Sequence, residues 1–270
     1  MKFTVLGSTG FIGSHLVKYI KSEKIECFTP NLRKESISKI SNLGHVIYAI
    51  GVSDFINHPY DTIEAHVCKL NEVLLNRNFE SLTYFSSGRF YYNEKNTSEN
   101  LTLTVNPLDS DQLYNISKLL GESLCNSSKN SNIKIVRPSN VTGIGTPSNL
   151  FVPSIILDAI NNNKIILQST LDSERDYIYI DDLVKIILKI ALEGKGKIYN
   201  VASGKNTTND EIVTKIKQIT NCTVSVSDNP SKFHIPIIKI KRLQNEFNFK
   251  PNSILDHLEN IIEYYKNTKL

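Results

Sequence analysis

The chain has 270 residues, 40% of them hydrophobic and 21% charged, so it can bury a sizeable core and is unlike a disordered protein. Its net charge of +4 is spread without a basic block, which argues against a dedicated nucleic-acid binder. The four cysteines are far apart and form no CxxC pair, so we expect neither a metal site nor a disulfide framework. No run of about 18 apolar residues occurs, and we expect a cytoplasmic protein without a membrane span.

Apolar strands alternate with amphipathic helices along the first half of the chain. The pattern predicts strands at 3–6, 25–28, 45–50, 82–85 and 133–136, and helices at 11–20, 60–76 and 112–127. The helix at 60–76 is expected to place on one side Ile63, Val67, Leu70, Val73 and Leu74. Such alternation is typical of right-handed βαβ units and a parallel sheet.

The pattern loosens after Pro138. Helices are predicted at 151–161, 181–192 and 209–219, strands at 164–167 and 197–201, and irregular polarity follows at 221–251. We therefore predict an α/β fold, in which a Rossmann-type doubly wound parallel sheet carries a smaller C-terminal α+β lobe.

A glycine-rich turn follows the first predicted strand and opens the first helix. Gly7 allows the tight turn, Gly10 lets backbone approach a pyrophosphate, and Gly13 permits close packing of helix on strand. The helix N-terminus adds free N–H groups and a partial positive charge for the phosphates. The sequence thus predicts a dinucleotide site formed by Gly7, Thr9, Gly10, Phe11, Ile12 and Gly13.

The segment after the second strand bears on the choice of cofactor. An NAD site usually has an acid there, whereas this chain reads Phe-Thr-Pro-Asn-Leu-Arg-Lys at 28–34. Arg33 and Lys34 suit a 2′-phosphate, because a guanidinium pairs with phosphate bidentately. We favour NADP(H), with Arg33 in the site. If the cofactor is instead NAD(H), Arg33 and Lys34 are solvated surface charges.

Tyr114 and Lys118 are four residues apart on a predicted helix and share one face. A free phenol has a pKa of about 10 and is a poor base, but a nearby cation favours the phenolate. Lys118 can also reach the nicotinamide ribose from that face, so we assign both residues to catalysis and to the cofactor site. Ser87 leaves a predicted strand end, where its hydroxyl either faces the substrate oxygen or caps a turn.

Taken together, these motifs resemble extended short-chain dehydrogenases/reductases of the nucleotide-sugar epimerase, dehydratase and reductase group. The resemblance rests on the GxxGxxG turn, on Tyr-x-x-x-Lys, on Ser87 four residues before Tyr91, and on the segments 137–143 and 175–182. It implies that Ser87, Tyr114 and Lys118 are catalytic, and that Ser87, Asn140 and Arg175 contact a nucleotide-diphosphate sugar.

The resemblance also implies a division of the chain and an assembly. A dinucleotide-binding domain would comprise 1–139 and 177–203, and a nucleotide-sugar-binding lobe 140–176 and 204–270. A homodimer would form through the helices at 60–76 and 112–127, with interface candidates at Cys68, Leu70, Leu119 and Leu120.

Departures from the family pattern narrow the reaction. Dehydratases of the group place Asp-Glu after the catalytic hydroxyl, where this chain has Gly88 and Arg89, so we do not expect 4,6-dehydration. His66 replaces a common Asn, and we expect it to be structural.

The missing acid after the second strand and Arg33 favour NADPH-dependent reduction of a 4-keto-6-deoxy nucleotide sugar at C4. A nucleotide-sugar 4-epimerase with retained NAD is the alternative. A non-catalytic dinucleotide sensor is a second one, although the intact Ser87, Tyr114 and Lys118 set argues against it.

Overall fold

A computed structural model describes residues 1–32, 34–76, 78–92, 94–130 and 132–268. In chain order the strands are β1 (Lys2–Leu6), β2 (Glu26–Phe28), β3 (His45–Tyr48), β4 (Ser81–Phe85), β5 (Ile133–Pro138), β6 (Asn140–Thr142), β7 (Lys164–Ser169), β8 (Glu174–Tyr179), β9 (Ile198–Val201), β10 (Asn206–Thr208) and β11 (Thr223–Ser231). The helices are α1 (Phe11–Ser22), α2 (Pro59–Ile63), α3 (Lys69–Asn76), α4 (Leu113–Ser127), α5 (Phe151–Asn162), α6 (Ile180–Glu193), α7 (Asn209–Thr220), α8 (Lys241–Phe247) and α9 (Leu258–Asn267).

The central sheet within the described residues has the strand order β2-β1-β3-β4-β5-β9, and every neighbouring pair is parallel. Helices α1 and α6 pack on one face, and α3 and α4 on the other. Successive strand residues bury into opposite layers, as Val5 and Leu6 do in β1. Burial on both faces explains why the strands read as apolar runs, and the predicted doubly wound Rossmann fold is confirmed.

The carboxyl ends of these parallel strands meet at one edge of the sheet. Strand β2 lies on one side of β1 and β3 on the other, so the chain order reverses at β1. Ligands of open α/β sheets bind in the crevice at such a reversal. The Gly7 turn, Gly51 and the Ser86-Ser87 pair all follow strands at this edge.

The predicted helix at 60–76 is present, but its middle turn is wider than an α-helix. A π-helical segment at Glu64–Cys68 joins α2 to α3. Ile63 and Val67, expected on one side of the helix with Leu70, are only half-buried in this wider part. The buried residues there are Thr62, Ala65 and His66, because the wider turn rotates the helix face.

Outside the central sheet, the described chain forms two smaller sheets. Strand β8 pairs with β6 in parallel and with β10 in antiparallel orientation, and β11 pairs with β7. The predicted irregular segment 221–251 contains β11 and α8. The division of the chain at 139, 176 and 203 stays a prediction. Leu70, expected at a dimer interface, is fully buried in the core below β3 and β4 and is unavailable to a partner.

Candidate active site

The glycine turn beside β1 is closely packed at Gly7 and Gly13 and open at Gly10. Gly7 has φ of +88°, and a Cβ there would lie 2.7 Å from the backbone of Ala49, so the turn abuts the end of β3. A Cβ on Gly13 would lie 2.0 Å from the Gly7 carbonyl oxygen. Helix α1 begins after Gly10 with no side chain capping its N-terminus, which leaves backbone N–H groups for a ligand.

These residues fit a dinucleotide, as the sequence predicts. Thr9 and Gly10 are exposed at the tip of the turn, while Phe11 and Ile12 are half-buried at the start of α1. Arg33, the predicted partner of a 2′-phosphate, lies outside the described residues. Lys34 is exposed, and its backbone N–H donates to Asn31 O over 2.9 Å.

Ser87 and Tyr114 meet at the crevice edge. Ser87 is the second residue after β4 and is buried, whereas Tyr114 is half-buried in the first turn of α4. Burial raises the pKa of Tyr114, while a side-chain hydrogen bond with Ser87 and the charge of Arg89 act in the opposite direction. When a phenol and a hydroxyl are in contact, the phenol can transfer a proton to a substrate oxygen and the hydroxyl can donate a hydrogen bond to the same oxygen.

Aromatic and cationic groups surround the Tyr114 ring. Phe55 lies at 5.5 Å between ring centroids, and His66 stands edge-on at 5.4 Å. The Arg89 guanidinium carbon is 5.8 Å from the Tyr114 centroid and 5.1 Å from that of Phe55. The phenol is therefore enclosed on several sides by residues from the segment after β3, the π-helical segment and the turn after β4.

Lys118 lies one helical turn after Tyr114 and is 3% exposed. Its ammonium donates to Phe85 O over 2.9 Å and lies 5.4 Å from the Tyr84 ring centroid. Desolvation lowers the pKa of Lys118 to about 7. The structure thus brings Lys118 to the ends of β3 and β4, with its nitrogen beside Gly51, where a Cβ would be 3.7 Å away.

His66 holds the π-helical segment against α4. Its Nε2 accepts from the Val52 N–H over 3.2 Å, so the neutral ring carries its proton on Nδ1 and donates to Ser117 Oγ over 2.8 Å. Ser117 Oγ in turn donates to Tyr114 O over 2.9 Å. Desolvation, assisted by the charge of Lys118, lowers the pKa of His66 to about 2, so this histidine stays neutral.

Asn140 and Arg175 lie farther along the crevice, where the sequence predicts a diphosphate. Asn140 Nδ2 donates to Asp176 O over 2.8 Å, and its Oδ1 accepts from the Tyr92 hydroxyl over 3.3 Å. The Arg175 guanidinium lies over the rings of Phe151 at 4.9 Å and Phe233 at 4.3 Å. Its Nε is buried without a hydrogen-bond partner in the described part of the chain.

Sequence reasoning missed Phe55, Tyr92 and the contact of Arg89 with Tyr114. Arg89 was noted as a departure from the family pattern, and its position two residues after Ser87 was the available signal. Phe55 sits in a polar stretch at 51–58, and nothing in its spacing distinguishes it from an ordinary loop residue. Tyr92 touches Asn140 across 48 positions of the chain, a separation that no local pattern reveals.

Two kinds of feature are absent from the described residues. They contain no group of three or more His, Cys, Asp or Glu side chains able to hold a metal ion. Within the same residues, no helix combines the length and the apolar character needed to cross a bilayer.

Known proteins are similar to this chain in sequence. The model of the NAD dependent epimerase/dehydratase family matches residues 3–202. The chain is 28% identical over 209 residues to GDP-6-deoxy-D-talose 4-dehydrogenase of Aggregatibacter actinomycetemcomitans, covering 70% of each chain. It is 27% identical over 251 residues to a putative UDP-glucose 4-epimerase of Methanocaldococcus jannaschii, covering 79% of this chain and 80% of the relative.

A solved structure has the same fold. The structure of RMD from Pseudomonas aeruginosa complexed with NADPH superposes with a TM-score of 0.81 at 20% identity, covering 98% of this chain and 99% of that one. The described architecture therefore recurs over nearly the full length of both chains.

Proposed function

Because the chain belongs to the NAD-dependent epimerase/dehydratase family, we propose that it reduces the C4 ketone of a 4-keto-6-deoxy sugar on a nucleotide diphosphate, using NADPH. The observation that carries the proposal is the contact of Ser87 with Tyr114 at the crevice, followed by Gly88 and Arg89 in place of two acids. Proton transfer at the C4 oxygen needs the Ser87 and Tyr114 pair. Removal of water across C5 and C6 needs acids that are missing here.

The proposed chemistry divides between the residues and the dinucleotide. When bound, the dinucleotide supplies the hydride that adds to C4. The Tyr114 phenol gives its proton to the oxygen on C4, so the ketone becomes an alcohol and the phenol a phenolate. Ser87 donates a hydrogen bond to the same oxygen and stabilises the negative charge that develops on it.

We assign the orientation of the nicotinamide ribose to Lys118. Its nitrogen lies beside Gly51 at the reversal of the strand order, on the same helix face as Tyr114. The hydrogen bond to Phe85 O fixes the side chain, so it need not be ordered when the ribose binds.

Asn140 and Arg175 are the proposed diphosphate ligands. Arginine suits this role, because a guanidinium binds phosphate oxygens with several N–H groups. The Tyr92 hydroxyl donates to Asn140, so we place Tyr92 beside the proposed diphosphate ligands. The sugar ring would then lie between Tyr92 and Tyr114.

Preference for NADPH rests on the segment after β2. No acid occurs from Thr29 to Lys34, and Lys34 is exposed beside the expected ribose position. Solved structures of the same fold include complexes with NADPH and complexes with NAD, so the choice rests on this segment alone. Two relatives have names that describe redox chemistry at C4 or reduction of a 6-deoxy sugar nucleotide.

A nucleotide-sugar 4-epimerase is the second candidate, favoured by the resemblance to the Methanocaldococcus relative. An epimerase retains NAD and returns the hydride, so it oxidises no NADPH overall. Mass spectrometry of ligand released from purified protein, followed by NADPH oxidation with a panel of nucleotide 4-keto sugars, separates the two. Turnover with NADPH supports the reductase. Stoichiometric bound NAD without net NADPH oxidation overturns it in favour of the epimerase.

We further propose a cytoplasmic homodimer joined through the helices that flank the crevice. Exposed apolar side chains lie on them, with Tyr60 88%, Leu75 70% and Leu120 46% exposed. A dimer would cover these side chains. Sedimentation equilibrium of the purified protein and of Leu120→Asp tests the assembly: a monomeric parent chain contradicts it.

A further inference from the structure

The guanidinium of Arg89 packs against the catalytic phenol. Its carbon is 5.8 Å from the centroid of the Tyr114 ring, and Phe55 completes a triangle with the two. In the part of the chain that the structure describes, the ion pairs join other residues and none involves Arg89. Its charge is therefore not neutralised by a carboxylate and acts on the groups beside it.

The turn that carries Ser87 also fixes Arg89. Residues Gly88–Tyr91 form a 3₁₀ turn, and the Ser87 hydroxyl accepts from the Arg89 N–H over 3.1 Å. One turn thus fixes the positions of both the Ser87 hydroxyl and the Arg89 guanidinium relative to Tyr114. Movement of this turn would displace the two together.

The other groups around Tyr114 supply less charge. His66 is neutral, because desolvation holds its pKa at about 2. Lys118 is directed at Phe85 O, and its lowered pKa of about 7 leaves it partly uncharged at neutral pH. Tyr92 acts against ionisation of Tyr114. Arginine, by contrast, stays protonated in proteins.

We propose that Arg89 provides the permanent positive charge that favours the ionised form of Tyr114, a task for which the spacing along the helix suggests Lys118. Because Arg89 acts through Tyr114, it is a positioning residue and not a catalytic one. The inference rests on the proposed function only in taking Tyr114 as the acid/base, and it holds for a reductase or an epimerase alike.

The test measures the ionisation of Tyr114 in the ligand-free protein. Tyrosine labelled at the ring carbon that bears the hydroxyl is incorporated, and the Tyr114 NMR signal is identified by its loss in Tyr114→Phe. In Arg89→Gln the ratio of phenolate to phenol at a given pH should fall about tenfold. A unit charge at this distance changes an ionisation constant by about that factor. Arg89→Lys should restore most of it.

Controls separate a charge effect from a structural one. Lys185 is exposed on α6, and Lys185→Gln removes an equal charge away from the crevice, so it should leave the titration unchanged. With an active substrate, the pH profile of alcohol oxidation should move to higher pH in Arg89→Gln and return in Arg89→Lys. A Tyr114 titration identical in parent and Arg89→Gln overturns the inference, whatever the substrate. If Arg89→Gln does not fold, the Arg89→Lys and Arg89→Met titrations decide in the same way.

Discussion

Two regions that each include one residue of helix α4 combine a tyrosine with an arginine, and they differ in how the arginine is paired. Around Tyr114, aromatic rings and Arg89 enclose a phenol at an open crevice. One turn after Lys118, Glu122 forms a bidentate ion pair with Arg137, with distances of 2.8 and 2.6 Å. Arg137 also donates to Tyr91, whose hydroxyl donates to Asn200, each over 2.8 Å.

The two regions differ in how fully their polar groups are hydrogen-bonded. In the second region, which we call the ion-pair network (Glu122, Arg137, Tyr91 and Asn200), the charges face each other and both carboxylate oxygens are used. Arg137 is 3% and Glu122 4% exposed, so a substrate has no access to either. In the Tyr114 region, by contrast, the phenol lies at the crevice, where a bound substrate could accept its proton. We therefore propose that the first region carries the chemistry and that the second supports the fold.

The largest expected effect tests the first region. Tyr114→Phe should lower kcat/KM for the 4-keto sugar roughly a thousandfold or more, about 4 to 5 kcal/mol in the barrier, because the proton donor is lost. Its urea midpoint should stay near that of the parent. Tyr91→Phe is the matched control, expected to keep activity and to lose about 1–2 kcal/mol of stability by leaving buried groups unpaired. Equal activity losses in both variants would erase the distinction.

Glu122→Ala should act on stability. It leaves the Arg137 guanidinium buried without its carboxylate, and the free energy of unfolding should drop by about 3 to 4 kcal/mol. Urea denaturation followed by circular dichroism measures it. Glu259→Ala, which removes an exposed carboxylate on α9, serves as control and should change stability by less than about 0.5 kcal/mol. A similar small change in Glu122→Ala would show that the ion pair does not support the fold.

Ser87→Ala should lower kcat about a hundredfold, roughly 2.7 kcal/mol, by removing a donor to the developing oxyanion. Its neighbour Ser86 offers a close comparison, because its buried hydroxyl has no hydrogen-bond partner among the described residues. Ser86→Ala should retain activity within about threefold. Steady-state kinetics on both variants would refute the assignment if Ser86→Ala were the more damaged.

The smallest expected effect concerns Lys118 and pH. Desolvation lowers its pKa to about 7, so the ammonium is the main form below neutrality and the free amine above it. The charged form should bind NADPH better, and affinity should therefore fall severalfold as pH rises through that pKa. Calorimetric titration of NADPH at several pH values measures this, with Lys118→Met as the pH-independent reference. A parent chain whose affinity rises with pH would contradict the role.

Much of the fold and part of the site were predictable from local patterns. Apolar runs such as 45–50 indicate buried strands, and Gly7, Tyr114, Lys118 and Ser87 stand at spacings with a direct physical meaning. Strand β11 was missed, because it lies largely exposed and its polar residues give no period. The contacts of Arg89 and Phe55 with Tyr114 join separate segments of the chain, and sequence spacing carries no information about such packing.

The π turn at Glu64–Cys68 has a consequence for how this chain tolerates insertions and deletions. A π turn amounts to an α-helix with one residue too many. Deleting a single residue there would leave a regular α-helix whose two parts, Pro59–Ile63 and Lys69–Asn76, keep nearly their present directions, because the wide turn already absorbs the extra residue. The deletion would nevertheless remove the wide turn that carries the imidazole of His66 to Ser117, so length at this point is as restrictive as residue identity.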